Sequence, residues 1–182
     1  MYLDTTDGYE EEVGLSLAAL VPLNGDAAQT WARSVMDALR QLHDSWEWDE
    51  QADEQVVHAP VSPVLAEIFV DASAEDIANA SYGLQMDINP DGELFMGAGG
   101  HNYAAVQLCA LITRAYLAQF DPDSSRAFCW SVAGRRAGEP NGGAVRVTAH
   151  RTEWLLLQDW VAGRPNRIET EPRLPSEDDD TF

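Results

Sequence analysis

The chain has 182 residues, 45% of them apolar, and a formal charge of -20 at pH 7, so one sizeable core can be buried beneath a strongly acidic surface. Its eleven basic residues are all arginine, which excludes a Walker phosphate loop, a Schiff base and a lysine general base. No stretch approaches the roughly 18 apolar residues of a membrane span, and the opening MYLDTTDGYEEE has neither a basic start nor an apolar run, so the expectation is a soluble, cytoplasmic protein with no membrane partner.

The first periodic segment is VGLSLAALV, where Val13, Leu15, Leu17, Ala19 and Val21 alternate with Gly14, Ser16, Ala18 and Leu20 as a strand requires. From Asn24 the period changes. Ala28, Trp31, Val35, Leu39, Leu42 and Trp46 recur at three and four, an amphipathic helix for which Asp26 and Gln29 form a capping pair. An acidic run follows over residues 44–54, and prolines then bar a helix between Val56 and Pro63. VLAEIFV, residues 64–70, reads as a strand, and SAEDIANASYG as a short helix begun by Ser73 and closed by Gly83.

LQMDINPDGELFMG predicts a hairpin, since Pro90 presets φ and Gly92 accepts positive φ. His101 to Phe120 is nearly all apolar, with Arg114 its single formal charge, and predicts a central helix buried on most sides. RAFCWSV and AVRVTAH alternate around the Gly-rich AGRRAGEPNGG as a second hairpin, and TEWLLLQDWVAGR closes the fold as a helix ended by Gly163. The expected architecture is one α+β domain over residues 1–163: a mixed, mainly antiparallel sheet with a buried central helix and two strand-strand-helix units. Residues 164–182, rich in proline and acid, read as a tail.

Several segments resemble sites and have plainer readings. Asp87, Asn89, Asp91 and Gly92 match the opening of a calcium loop, but position twelve is Ala98 and the same residues make a good turn. GAGGHN, residues 97–102, offers glycines between a strand and a helix, where backbone N–H groups meet phosphates, yet the dinucleotide fingerprint is incomplete and the net charge repels such ligands. His43, His58, His101 and His150 show no metal-ligand spacing, so no metal and no cofactor is expected. Cys109 and Cys129 lie in apolar segments and read as reduced core thiols, with a disulfide between them left open. Arg135 and Arg136 form a basic doublet that reads as a solvated loop pair. Trp31, Trp130, Trp154 and Trp160 fall on apolar faces and read as core.

The stretch FCWSVAGRRAGEPNGGAVRVTA followed by WLLLQDWV, with the preceding DINPDGEL and its helix, resembles a family of small uncharacterised proteins carried by phages, plasmids and integrated elements. The shared pattern covers roughly residues 84–162: a Phe-x-Trp strand, a short Arg-containing loop, a Gly-Gly-Ala-Val return ending in Val-Thr, and a Trp-bearing helix. Where that family carries a Cys-Ser-Lys-Pro-Arg-like loop and three glycines, this chain has Ala133-Gly134-Arg135-Arg136 and two. The resemblance implies a mobile-element origin and no particular activity.

Charge carries the functional expectation. Residues 1–100 hold 20 acidic residues against Arg33 and Arg40, a balance of -18, whereas residues 101–182 hold 11 against nine, a balance of -2. Solubility alone would not confine the excess to one half. Within residues 44–54 lie six carboxylates, Asp44, Glu47, Asp49, Glu50, Asp53 and Glu54, with Trp48 among them as an aromatic anchor for a partner. Carboxylates two residues apart on a strand stand about 6.6 Å apart, comparable with neighbouring phosphates of one nucleic-acid strand. The expected partner is therefore a basic nucleic-acid-binding protein, such as a host defence nuclease, and not nucleic acid itself. An immunity protein against a basic nuclease toxin, and an enzyme or ligand-binding protein with a site near His101, are the alternatives.

Overall fold

A computed structural model describes residues 15–51, 54–100, 104–132, 142–156 and 167–169. Strand β1 (Leu15–Pro22) runs through the middle of the sheet, with Leu17, Ala19 and Val21 buried and Ala18 and Leu20 facing outward. Helix α1 (Gly25–Asp44) buries Ala28, Ala32, Val35, Ala38, Leu39 and Leu42 along one stripe, as its period demands. Its start differs from expectation, because Asn24 holds the cap position and makes no side-chain cap bond. The Asn24 N–H donates instead to the Tyr116 hydroxyl at 3.0 Å, while Asp26 lies in the first turn, where the helix dipole favours an anion. Past the helix the acidic run forms a two-stranded hairpin, β2 (Trp46–Asp49) with β3 (Glu54–Val57).

Residues 64–70 are not a strand. Pro63–Ile68 is helix α2, begun by Ser62, whose hydroxyl accepts from the Leu65 N–H, with Pro63 where a missing N–H costs nothing. Leu65 and Ile68, three apart, then bury together. Helix α3 (Ala74–Ser81) begins as expected, with a reciprocal capping box between Ser73 and Asp76, and Gly83 follows it at φ +75°. Strands β4 (Leu84–Ile88) and β5 (Glu93–Gly100) form the expected hairpin, its turn held by Asn89 Oδ1, which accepts from the Asp91 and Glu93 N–H groups. Helix α4 (Ala104–Phe120) buries ten residues between Ala105 and Leu117 and is the central helix of the core.

Strands β6 (Ser125–Val132) and β7 (Gly142–Thr148) make the second expected hairpin. The helix expected from Thr152 is a strand over its first residues, β8 (Thr152–Leu156), which pairs with β7. A short apolar run suits strand and helix alike, and here the open edge of β7 decides. The rest of that expected helix, residues 157–163, lies outside the described residues. Strand β9 (Arg167–Glu169) pairs with β8, so the sheet extends into the segment read as a tail.

The sheet order is β4-β5-β1-β6-β7-β8-β9, and every pairing is antiparallel. The fold is α+β: the helices cover one face of the sheet, and Leu94, Met96, Val145 and Val147 meet Leu108, Ile112 and Leu117 there with no exposure. Helix α1 starts beside the β4–β5 turn and ends near the beginning of β4, where Trp46 meets Tyr82 at a ring separation of 5.9 Å. The acidic hairpin is thereby fixed to one end of the helix layer. No helix among the described residues is long and apolar enough to cross a membrane.

Candidate acidic interface

The hairpin is held at its base by groups other than its own exposed carboxylates. Ser45 closes α1, its hydroxyl donating to the Leu42 carbonyl at 2.9 Å and accepting from the Ala59 N–H at 3.0 Å. The Ser45 carbonyl also accepts from the His58 N–H at 3.2 Å, so one residue ties together the chain entering β2 and the chain leaving β3. Trp46 lies directly opposite Val57, which is buried, and Trp46 itself is half-buried between the rings of His43 and Tyr82. The Val57 N–H reaches Glu75 Oε1 of α3 at 3.4 Å. His43 Nε2 is 2.9 Å from the Ser81 hydroxyl, and that hydroxyl donates to the Ile77 carbonyl at 2.7 Å. His43 therefore donates from Nε2, and this bond fastens the end of α1 to α3.

On this base β2 sorts its side chains by period two. Trp46 and Trp48 share one face, Glu47 and Asp49 the other. The two carboxylate-bearing residues are thus i and i+2 on a strand, about 6.6 Å apart along it. Glu47 is 74% exposed, with His58 Nε2 at 3.7 Å, and Trp48 is 57% exposed, far more than a tryptophan in a monomer core. Asp49 Oδ1 accepts from the Gln51 N–H at 2.8 Å and shapes the turn. Asp44, the last residue of α1, and Glu50, in the turn, are both exposed. Asp53 lies outside the described residues, and Glu54 is placed by its backbone opposite Asp49.

The register therefore opposes two acidic residues, and Asp44 sits at the electronegative end of a helix. Neither arrangement helps the fold. Sequence reasoning found the carboxylates and Trp48 but missed the residues that position them: Ser45, Val57, Glu75 and the His43–Ser81 bond. The WEWD alternation, followed by EQVV, was the available signal for the hairpin.

Other expected sites fare differently. Residues 97–100 are not a turn before the central helix but the end of β5, paired with β1. Their backbone groups belong to a sheet ladder, and His101 and Asn102 lie outside the described residues. Asp87 Oδ1 accepts from the Ile88 N–H, and Asn89 serves its turn, so the calcium-loop residues are engaged locally. Among the described residues no group of three or more His, Cys, Asp or Glu is placed to hold a metal ion. Both cysteines are free thiols: Cys109 is buried and its pKa is pushed well up by loss of solvent, whereas Cys129 is exposed on β6, contrary to the core reading. Trp31 packs on Tyr116 and Phe120 at about 6 Å, as a core tryptophan should. The side chains of Trp130 and Trp154, and all of Trp160, Arg135 and Arg136, lie outside the described set. An open cleft of about 330 Å³ between α1 and the β4–β5 turn, lined by Gln29, Arg33 and Asp87 among others, was not anticipated.

Comparison with known proteins gave no match: no family model fits the sequence, and no curated protein or solved structure is similar to it.

Proposed function

We propose that the protein is a non-catalytic acidic inhibitor that occupies the basic nucleic-acid-binding surface of another protein. The observation that carries this reading is the hairpin β2–β3. Its carboxylates Glu47 and Asp49 are exposed on a strand with phosphate-like spacing, its base is fastened by contacts that these carboxylates do not make, and Trp48 stands exposed on its other face. A protein that binds nucleic acid draws most of its affinity from phosphate contacts, so carboxylates seated on the same arginines and lysines displace the nucleic acid by competition. Each such pair is worth about 1 kcal/mol in water and a few times more where solvent is partly excluded, so several must act together, with Trp48 adding an apolar contact from the hairpin's other face. With a mobile-element origin, as the resemblance over residues 84–162 implies, the target is a host defence nuclease, of the kind met by anti-CRISPR or anti-restriction inhibitors.

The test is charge reversal. The variant with Asp44, Glu47 and Glu50 all changed to Lys, Asp49 being kept for the turn, is expected to keep its circular dichroism spectrum and lose affinity for a partner captured from a cell lysate by at least about 100-fold. Unchanged affinity in the folded variant refutes the assignment.

A further inference from the structure

The face of the sheet turned away from the helices breaks the usual pattern. An antiparallel sheet with one face in water alternates apolar inward with polar outward. Here the central outward positions of β5, β1 and β6 are Phe95, Gly97, Ala18, Leu20, Ala127 and Cys129, with Glu93 at the start of β5 beside them. None of the six central positions is charged, in a chain where 31 of 182 residues are acidic. Leu20 is 51% exposed, Ala18, Ala127 and Cys129 are exposed, and Phe95 lies flat over Gly97, so that a Cβ added to Gly97 would come within 2.6 Å of Phe95 Cζ.

Size and charge on this face are arranged in opposite senses about a line between β1 and β6. The register sets Asp87 opposite Phe95 and Phe95 opposite Leu20 on one side. Ala18 pairs with Cys129, so Ala127 is level with Leu20 on the other side, followed by Arg146 and Glu153. Bulky apolar groups and a carboxylate thus lie to one side. Small residues and a cluster in which Arg146 and Arg151 both bind Glu153, with a net charge of +1, lie to the other.

From this complementarity we propose that the outer sheet face docks a second copy of the chain, about a twofold axis running along the strands between β1 and β6. That rotation sets Leu20 of one copy over Ala127 of the other, Phe95 over Arg146, and Asp87 over Glu153 with the two arginines that bind it. The contact is self-complementary in size and in sign, and the two sheets pack face to face at about 10 Å. It leaves both acidic hairpins, on the helix side, pointing away from each other. Six strands of each copy, β4 to β8 with β1, then face each other, and at about 4.8 Å apart and five residues deep they give a face of about 475 Å². That is below the roughly 800 Å² per partner of a stable interface, so the dimer is weak and reversible. The inference does not depend on the proposed function.

Sedimentation velocity between about 1 and 300 µM, a range suited to so small an interface, tests it, with about 0.5 M salt to screen the net charge. The mass is expected to rise with concentration from 20.0 kDa towards twice that value. Leu20→Arg and, independently, Ala127→Arg, both at exposed positions, are expected to hold it at the monomer value. Val70→Arg, at a 67% exposed apolar residue beyond α2 on the helix side, should leave association unchanged. A short bismaleimide is expected to join two chains through Cys129, each thiol adding across one maleimide double bond. A monomer at every concentration, or a dimer untouched by both arginine substitutions, overturns the proposal.

Discussion

If the hairpin's acid serves a partner and not the fold, removing it should cost no stability. Consider Asp44→Asn, Glu47→Gln and Glu50→Gln together, leaving Asp49 to hold the turn through the Gln51 N–H. Asp44 is the last residue of α1 and exposed, so losing its charge relieves an unfavourable dipole contact worth about 0.3–1 kcal/mol. Glu47 forfeits its contact with His58, 3.7 Å away, but both side chains are more than 60% exposed, so screening leaves that pair only a few tenths of a kcal/mol. The net is a gain of roughly 0.5 kcal/mol, or about 1–2 °C in Tm for a domain of this size. Thermal unfolding at low salt and at about 1 M salt, where the Debye length is near 3 Å, separates charge from packing: the gain should appear in the first and collapse in the second. A variant that melts lower than the parent at low salt would refute the reasoning, because the carboxylates would then be structural.

Three further substitutions probe the core and the sheet. Tyr116→Phe removes only the hydroxyl that accepts from the Asn24 N–H, while the ring contacts with Trp31 and Phe120 persist; the expected cost is about 1 kcal/mol, near the low end because Asn24 is solvent-accessible, read as a lower denaturant midpoint with an unchanged slope. Gly97→Ala displaces only the far end of the partly exposed Phe95 ring, so it should destabilise by less than about 1 kcal/mol, and by still less in a Phe95→Ala background. Burial raises the Cys109 pKa, so above about pH 9 the unfolded thiol ionises while the folded one stays protonated, and stability falls as pH rises by up to 1.4 kcal/mol per unit; Cys109→Ala should flatten that slope relative to the parent in chemical denaturation at pH 8 to 10.

Where the sequence spoke through a strong period or a specific turn chemistry, the fold followed it. The alternation of β1, the three-four recurrence of α1, the Ser73–Asp76 cap of α3 and the Pro90–Gly92 turn are local signals, and all four elements stand where they point. The failures involve short apolar runs. VLAEIF reads as a strand by composition, but Ser62 and Pro63 before it carry the helix-start signal that decides α2. At Thr152 the outcome depends on the open edge of β7, which no local pattern announces. The acidic residues of the candidate site were legible as charge, and their strand spacing was legible in WEWD. Their support was not, because Ser45 with Ala59, and His43 with Ser81, are contacts between separate elements. The exposure of Cys129 follows from its place on the face of the sheet turned away from the described helices, a property of topology that the apolar neighbours of Cys129 in sequence conceal.

The most direct measurement of the central proposal is capture by the immobilised protein from a bacterial lysate, followed by elution in steps of salt and, separately, with excess duplex DNA. A decoy for phosphate predicts a retained nucleic-acid-binding protein that salt releases and duplex DNA displaces, and that the charge-reversed hairpin fails to retain. A partner that stays bound against saturating DNA, or binds the reversed hairpin equally well, would contradict it.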